Sequence, residues 1–490
     1  MKSVLGPPLA ASSLLDPQQE LLGWVLGTIN EGFAQARKEG RTLIHVSSRR
    51  LEWAAPPLAL LDSPTEDIHL FCGGERLSLG VGVASEYGSA SPSSLSRSRA
   101  KKALGLDGAP LAVASQVLVM GGWPFSRSIG GKRDGVWLDL PRSRWVVPAL
   151  TLVSEGGKTT TLTVSVLASP LARRKARASA YYRRLVAAIL AARRLDEEAA
   201  TGHAAPTLRR TLDIPSEITW LSTVDDALEA ISQGRMKKVV LSRSVKLTFD
   251  GKLQPSAILT RLLALYHDST VFAVKRRGSV FLGATPENLL SIRDGAVEVD
   301  CLAASAPRGR GEAEDDALGA RLLADIKSRD EHMVVVQAAV RSISPFSSQV
   351  EVALSPTLKK LANIQHLYTS VKARLLPGQD IWSVAISLWP SPAIAGEPKS
   401  GAVRWIRSSE PFSRGWFAGV VGCVRGDFQD GRLVVGIRSG LVKDNEAVIY
   451  AGAGIVASSV PEKELEETGW KLETMRASLF QGPPDLPGPR

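Results

Sequence analysis

Cysteine is scarce. The chain holds only Cys72, Cys301 and Cys423, far apart, odd in number and without CxxC spacing. That pattern supports neither a disulfide framework nor a zinc site, and a reducing cytoplasm is the expected home. Long apolar runs are missing too: no segment approaches the roughly 18 consecutive apolar residues of a membrane helix, so no membrane association is expected. Pro7 and Pro8 interrupt the apolar residues of Met1–Leu15, and no small-residue cleavage site follows, so this stretch does not read as a secretory signal. No internal repeat is evident.

What remains is the composition of a globular protein. The 490 residues, 44% of them hydrophobic, are enough for two or three average domains or one large unit with a substantial core. Sixty Lys and Arg against 49 Asp and Glu leave a net charge of +11, which attracts nucleic acid, anionic membrane or anionic metabolites without choosing among them. Much of the excess lies in Arg173, Arg174, Lys175, Arg177, Arg183, Arg184, Arg193 and Arg194, interleaved with Tyr182, Leu185, Val186 and Ile189. This spacing predicts an amphipathic helix with solvated arginines, and no nucleic-acid partner.

Before about residue 165 the chain reads as short strands and turns after an early helix near Leu21–Arg37, with a serine-rich loop over Ser85–Ser98. A polar stretch, Asp196–Pro215, reads as a linker. A denser pattern follows: a helix over Thr223–Gln233, strands at Lys238–Leu247, Val271–Lys275 and Ser279–Leu282, and one long helix over Glu312–Ile343. Strands at Leu433–Ile437 and Ala447–Tyr450 precede a C-terminal helix. The mixture predicts an α+β protein with large antiparallel sheets and helices packed between them. Residues 1–210 are expected to complete the sheets, 211–478 to form the catalytic region, and the proline-rich 479–490 to be a disordered tail.

The candidate chemistry is concentrated near the C-terminus. Glu464, Glu467 and Lys471 are three and four apart and share one helical face. Two carboxylates there suit a divalent cation such as magnesium, which takes one or two protein carboxylates and keeps several waters; the same spacing also describes a solvated surface with an i,i+4 pair. Ala451-Gly452-Ala453-Gly454 lets backbone amides approach a ligand, or simply makes a tight turn. Arg438 offers a planar fork to a carboxylate, or is a surface strand residue. Lys238 opens a Val-Val-Leu strand after Lys237, so one of the two points inward, and a buried lysine serves as a general base. Glu287 ends Gly283-Ala284-Thr285-Pro286 at a turn where a carboxylic acid can face a cleft. Glu331-His332 interrupts the apolar stripe of the long helix, with His332 either a metal ligand or a structural histidine.

Taken in order, these pieces resemble the isochorismate synthases among the chorismate-utilising enzymes. The resemblance rests on Lys237-Lys238-Val239-Val240-Leu241-Ser242-Arg243, Gly283-Ala284-Thr285-Pro286-Glu287, Glu331-His332, Gln365-His366-Leu367, Pro390-Ser391-Pro392-Ala393, Glu410-Pro411-Phe412, Gly436-Ile437-Arg438-Ser439, the Ala451–Gly454 run and Pro461–Glu467, and covers roughly 219–475. More loosely, Gly121-Gly122-Trp123-Pro124-Phe125, Trp137 and Pro148 extend it into the N-terminal half.

The resemblance implies an isomerase that converts chorismate to isochorismate with Mg2+. It assigns Lys238 as the base that activates water for attack at C2, and Glu287 as the acid that protonates the departing C4 hydroxyl. It makes Glu331, Glu464 and Glu467 the metal ligands. Substrate contacts fall to Ala304, Ser305, His366, Ala393, Arg438, Gly452, Ala453, Gly454 and Lys471. It implies a monomer with no glutamine amidotransferase subunit, feeding menaquinone or catecholate siderophore synthesis. Lys238 argues against the anthranilate synthases, which generally carry glutamine there. The lack of a lysine near Ala304 argues against the aminodeoxychorismate synthases. Salicylate synthases, which go on to eliminate pyruvate, are the alternative. Two positions depart from the family: Ala304, in Leu302-Ala303-Ala304-Ser305, stands where glycine is common, and Trp389 stands where many relatives carry histidine.

Overall fold

The computed structural model describes residues 17–64, 66–89, 92–125, 135–140, 143–198, 206–362 and 364–480. Two large antiparallel sheets, of 12 and 10 strands, form the frame, with helices packed on and between them. This is the α+β architecture expected from the sequence. Both sheets draw strands from both ends of the chain. In the larger one, Ile68–Gly73 pairs with Thr270–Arg276 (Phe71 opposite Phe272). In the other, Leu118–Trp123 pairs with Val420–Arg425.

The strand Lys238–Phe249 lies toward one edge of the larger sheet, flanked by Glu446–Val456 on one side and by Leu208–Ile214 and Gly396–Glu397 on the other, and is buried along most of its length. Its β-branched and alternating residues suit a pleated position with both faces covered. Val239 and Leu241 enter the hydrophobic core from one face, while Lys238, Val240 and Ser242 share the other, as the two-residue period of a strand dictates.

The arginine-rich stretch forms the helix Ala172–Glu198, which buries Tyr182, Leu185, Val186 and Ile189. Two of its arginines have local partners: Arg184 pairs with Glu66 at 2.9 Å, and Arg193 lies 4.5 Å from the Trp53 ring centre. No helix among the described residues is long and apolar enough to cross a membrane.

Three local expectations change. The single helix over Glu312–Ile343 is two, Glu312–Ala324 and Ile326–Ile343. Asp325 breaks it by taking an extended conformation and accepting a hydrogen bond from the Ser328 amide at 2.8 Å, an N-cap inside an otherwise continuous apolar pattern. The linker stretch contains the strand Leu208–Ile214, which pairs with Lys238–Phe249; residues 199–205 lie outside the described residues. Within the serine-rich loop, Ser85–Ser89 is a strand paired with Ser143–Val147, and Arg97–Leu104 is a helix. The tail 481–490 lies outside the described residues.

Two chain crossings position the site. Ser279–Thr285 belongs to the larger sheet and Asn288–Arg293 to the smaller, so Pro286 and Glu287 carry the chain from one to the other. Gly431–Val435 and Ser439–Lys443 make the reverse crossing through Arg438. The crossings are tied together: the Val435 amide donates to the Glu287 carbonyl at 3.1 Å, and the Ala284 amide to the Arg438 carbonyl at 3.1 Å.

Candidate active site

A cavity of about 240 Å3 opens where these crossings meet the helices Ile326–Ile343 and Pro461–Leu479. The larger sheet supplies Lys238, Gly452 and Gly454 to its wall, the smaller supplies Ala304, Ser305 and His366, and the helices supply Glu331, Glu464, Glu467 and Lys471. Glu287, Arg438 and Ala393 complete the set. Of the residues that the resemblance assigned to catalysis, substrate or metal, Ala453 stands elsewhere. Strand alternation turns it into the core, where it is fully buried, while Gly452 and Gly454 face the cavity.

Lys238 is buried and donates to Glu331 Oε1 at 2.6 Å. A side chain at Gly454 would collide with this pair, since a Cβ there would meet Lys238 Cε at 2.9 Å and Glu331 Oε1 at 3.3 Å. The lysine charge and its hydrogen bond hold the Glu331 carboxyl below the usual range, although burial alone acts the other way. Its neighbour His332 is structural: Nε2 lies 2.7 Å from Thr369 Oγ1 in the interior, and burial brings its pKa down to about 4.

Glu287 is pushed up to about 7, first by burial and then by the negative charge of Asp300; Lys359, Lys238 and Lys471 oppose the rise. It therefore holds its proton well above the pH at which an exposed glutamate loses it. Arg438, buried and at φ +50°, donates from Nη2 to His366 Nε2 at 3.2 Å. Because guanidinium can only donate, His366 Nε2 is the acceptor and Nδ1 carries the proton, 3.0 Å from Ser305 Oγ. Burial and the Arg438 charge hold His366 well below the ordinary histidine value, so it is neutral. Arg438 itself is lowered by burial to about 10 and stays charged.

Lys471 donates to Glu467 Oε1 at 2.6 Å and to the Gly452 carbonyl at 2.9 Å, joining the C-terminal helix to the glycine-rich strand. Glu464 is raised by burial and by the negative charges of Glu467 and Glu331. Among the described residues no three His, Cys, Asp or Glu side chains form a ready-made metal cluster. The donor set nevertheless fits magnesium: three carboxylates open onto one cavity, crowded enough to perturb one another, with space for waters and ligand oxygens.

Several cavity residues were not singled out from sequence. Ser242 is buried on the same strand face as Lys238, and among the described residues its Oγ has no hydrogen-bond partner. Period two from Lys238 could have found it. Arg414 also lines the cavity; it bonds to Glu410, to the Val240 carbonyl at 2.7 Å and to the Ile394 carbonyl at 3.0 Å, while Glu410 Oε1 accepts from the Ser242 amide at 2.8 Å. The Glu410-Pro411-Phe412 motif is thus a brace for the Lys238 strand. Trp389 is scaffold as well, packing edge-on against Trp123 and Phe125 and donating to the Ala418 carbonyl at 3.3 Å.

Over 261 residues the chain is 40% identical to the isochorismate synthase MenF of Bacillus subtilis, covering 53% of this chain and 55% of that protein. It is 38% identical over 260 residues to the salicylate biosynthesis isochorismate synthase of Pseudomonas aeruginosa, covering 53% and 54%. The matched segment spans about half the length of these curated relatives. The fold is that of MenF, the menaquinone-specific isochorismate synthase from Escherichia coli, with a TM-score of 0.76 at 24% identity over 93% of this chain and all of that one. Residues 35–480 match the model of the family described as chorismate binding enzyme, and the chain belongs to that family.

Proposed function

We propose that this protein is a magnesium-dependent isochorismate synthase. The observation that carries the proposal is the meeting of Lys238 and Glu287 in one cavity with Arg438 and Lys471, a lysine and a proton-holding carboxyl beside two further cationic side chains. Chorismate is a dianion, and Arg438 and Lys471 match its two carboxylates in charge.

Lys238 rests in an ion pair with Glu331, so it has to release a proton before it acts as the base; it then takes one from water as the water oxygen bonds to C2. The ring double bonds shift, the C4–O bond breaks, and Glu287 gives its proton to the departing oxygen, which leaves as water. Hydroxide is a poor leaving group, and acid assistance of this kind typically contributes about 10²- to 10⁴-fold in rate. The neutral His366 fixes the Arg438 guanidinium. Glu331, Glu464 and Glu467 are the residues that would hold Mg2+, whose contribution is to orient and neutralise the ring carboxylate.

The test is incubation of the purified protein with chorismate and Mg2+, resolving isochorismate, salicylate and pyruvate by chromatography. Isochorismate alone is expected. Salicylate with stoichiometric pyruvate would make the protein a salicylate synthase, and no conversion would overturn the proposal.

A further inference from the structure

A second layer stands behind the acid. Lys359, on the short strand Thr357–Lys360, donates from Nζ to the Pro286 carbonyl at 2.8 Å and to Asp300 Oδ2 at 3.0 Å. Asp300, on Ala296–Pro307, has a side chain only 9% exposed, and its Oδ1 accepts from the Tyr368 hydroxyl at 3.2 Å. Lys359 Nζ also lies 5.3 Å from the Tyr368 ring centre. Lys359 and Asp300 stand outside the wall of the substrate cavity. Asp300 instead lines a second cavity of about 230 Å3, which also reaches Glu287. The peptide that Lys359 grips is the one that leads directly into Glu287.

We infer that Lys359 and Asp300 are positioning residues for the acid: Lys359 pins the turn that aims Glu287, and the opposed charges of the pair govern whether Glu287 carries its proton. The inference rests on Glu287 being the acid of the proposed reaction. The charged and titratable groups around Glu287 are Asp300, Lys359, Lys238 and Lys471, with Arg438 and Cys301 also within its electrostatic reach. After burial, Asp300 is the strongest influence holding the proton on, and Lys359 is the first of those opposing it.

The signs separate the two residues. An acid works only while protonated, so turnover is present below the Glu287 pKa and lost above it. Asp300→Asn deletes the charge that favours the proton and moves the alkaline limb of kcat to lower pH. Lys359→Met deletes the charge that opposes it, leaves Asp300 unbalanced, and moves the limb to higher pH. Each displacement is expected to be roughly one pH unit. Lys359→Arg keeps the charge and the donor and returns the limb toward its wild-type position. The double variant Asp300→Asn/Lys359→Met removes both charges, and its limb falls between those of the two single variants.

The same shifts are to be read without turnover. An infrared titration of the substrate-free protein follows the carboxyl C=O band, identified as Glu287 by its loss in Glu287→Gln. Opposite displacements in the two single variants, in both readouts, are the expected result. A purely structural pair would lower kcat or stability and leave both midpoints in place. Unmoved midpoints, or movement in one direction in both variants, would overturn the inference alone. Full turnover in Glu287→Gln would remove the acid assignment, and the inference with it.

Discussion

Lys238 Nζ and Glu331 Oε1 lie 2.6 Å apart, so the proposed base and a proposed metal-facing carboxylate form one buried ion pair, with side-chain exposures of 6% and 17%. A cation drawn to Glu331 has to compete with the lysine. Lys238→Ala is therefore expected to abolish hydration, to leave chorismate binding largely intact, and to tighten Mg2+ binding because Glu331 is released. Calorimetric titration with Mg2+ measures the last effect, and an unchanged or weakened Kd would contradict the competition.

Glu287 gives a stability signature of its own. Its pKa rises from an ordinary 4.5 to about 7 on folding, so its contribution is fully present below 4.5 and lost as pH rises through 7. Glu287→Gln cannot lose it. The unfolding free energy of the variant relative to wild type is expected to grow by up to about 3 kcal/mol between about pH 4 and about pH 8. Urea unfolding across that range checks it, and a pH-independent difference would count against a buried, proton-holding carboxyl.

Glu467 bonds to Lys471 at 2.6 Å, which in turn holds the Gly452 carbonyl. Glu467→Gln removes one negative charge facing the cation, and the Mg2+ concentration for half-maximal turnover is expected to rise by at least about tenfold. Lys471→Met should act mainly on the chorismate KM. A Glu467→Gln enzyme with the wild-type metal titration would remove that residue from the ligand set.

Ala304 holds φ at +56° in a bulge between Ala303 and Ser305, where the paired strand shifts register. An L side chain is strained there and glycine is not. Ala304→Gly is expected to stabilise the fold by up to about 1 kcal/mol, the relief of strain outweighing the extra freedom of the unfolded chain. A loss of stability in urea unfolding would show that the methyl's contacts matter more than its backbone.

Much of this site was legible because its residues sit in ordered motifs whose local structure follows from short-range rules. Lys238 on a β-branched strand and Glu464, Glu467 and Lys471 at helical spacing needed no tertiary knowledge to be placed on common faces. Long-range pairing was not legible. Lys238 and Glu331 are 93 residues apart, and nothing in either neighbourhood specifies the other. The same holds for Lys359, which meets the Pro286 carbonyl only after two sheets have closed. Ala453 departs from expectation because a glycine-rich run in a strand is not a continuous cradle: only alternate residues face the cavity, and Ala453 faces the core. The break at Asp325 hid inside a helix-like pattern because one capping side chain barely disturbs hydrophobic periodicity.

The interleaving of Ile68–Gly73 with Thr270–Arg276 and of Leu118–Trp123 with Val420–Arg425 makes this chain indivisible. Cutting it near the middle would strand two raw hydrogen-bonding borders on each fragment, surfaces that recruit other chains into aggregates. The reaction chamber is walled entirely by residues from Lys238 to Lys471, so what the N-terminal strands supply is the remainder of the two sheets on which those walls stand.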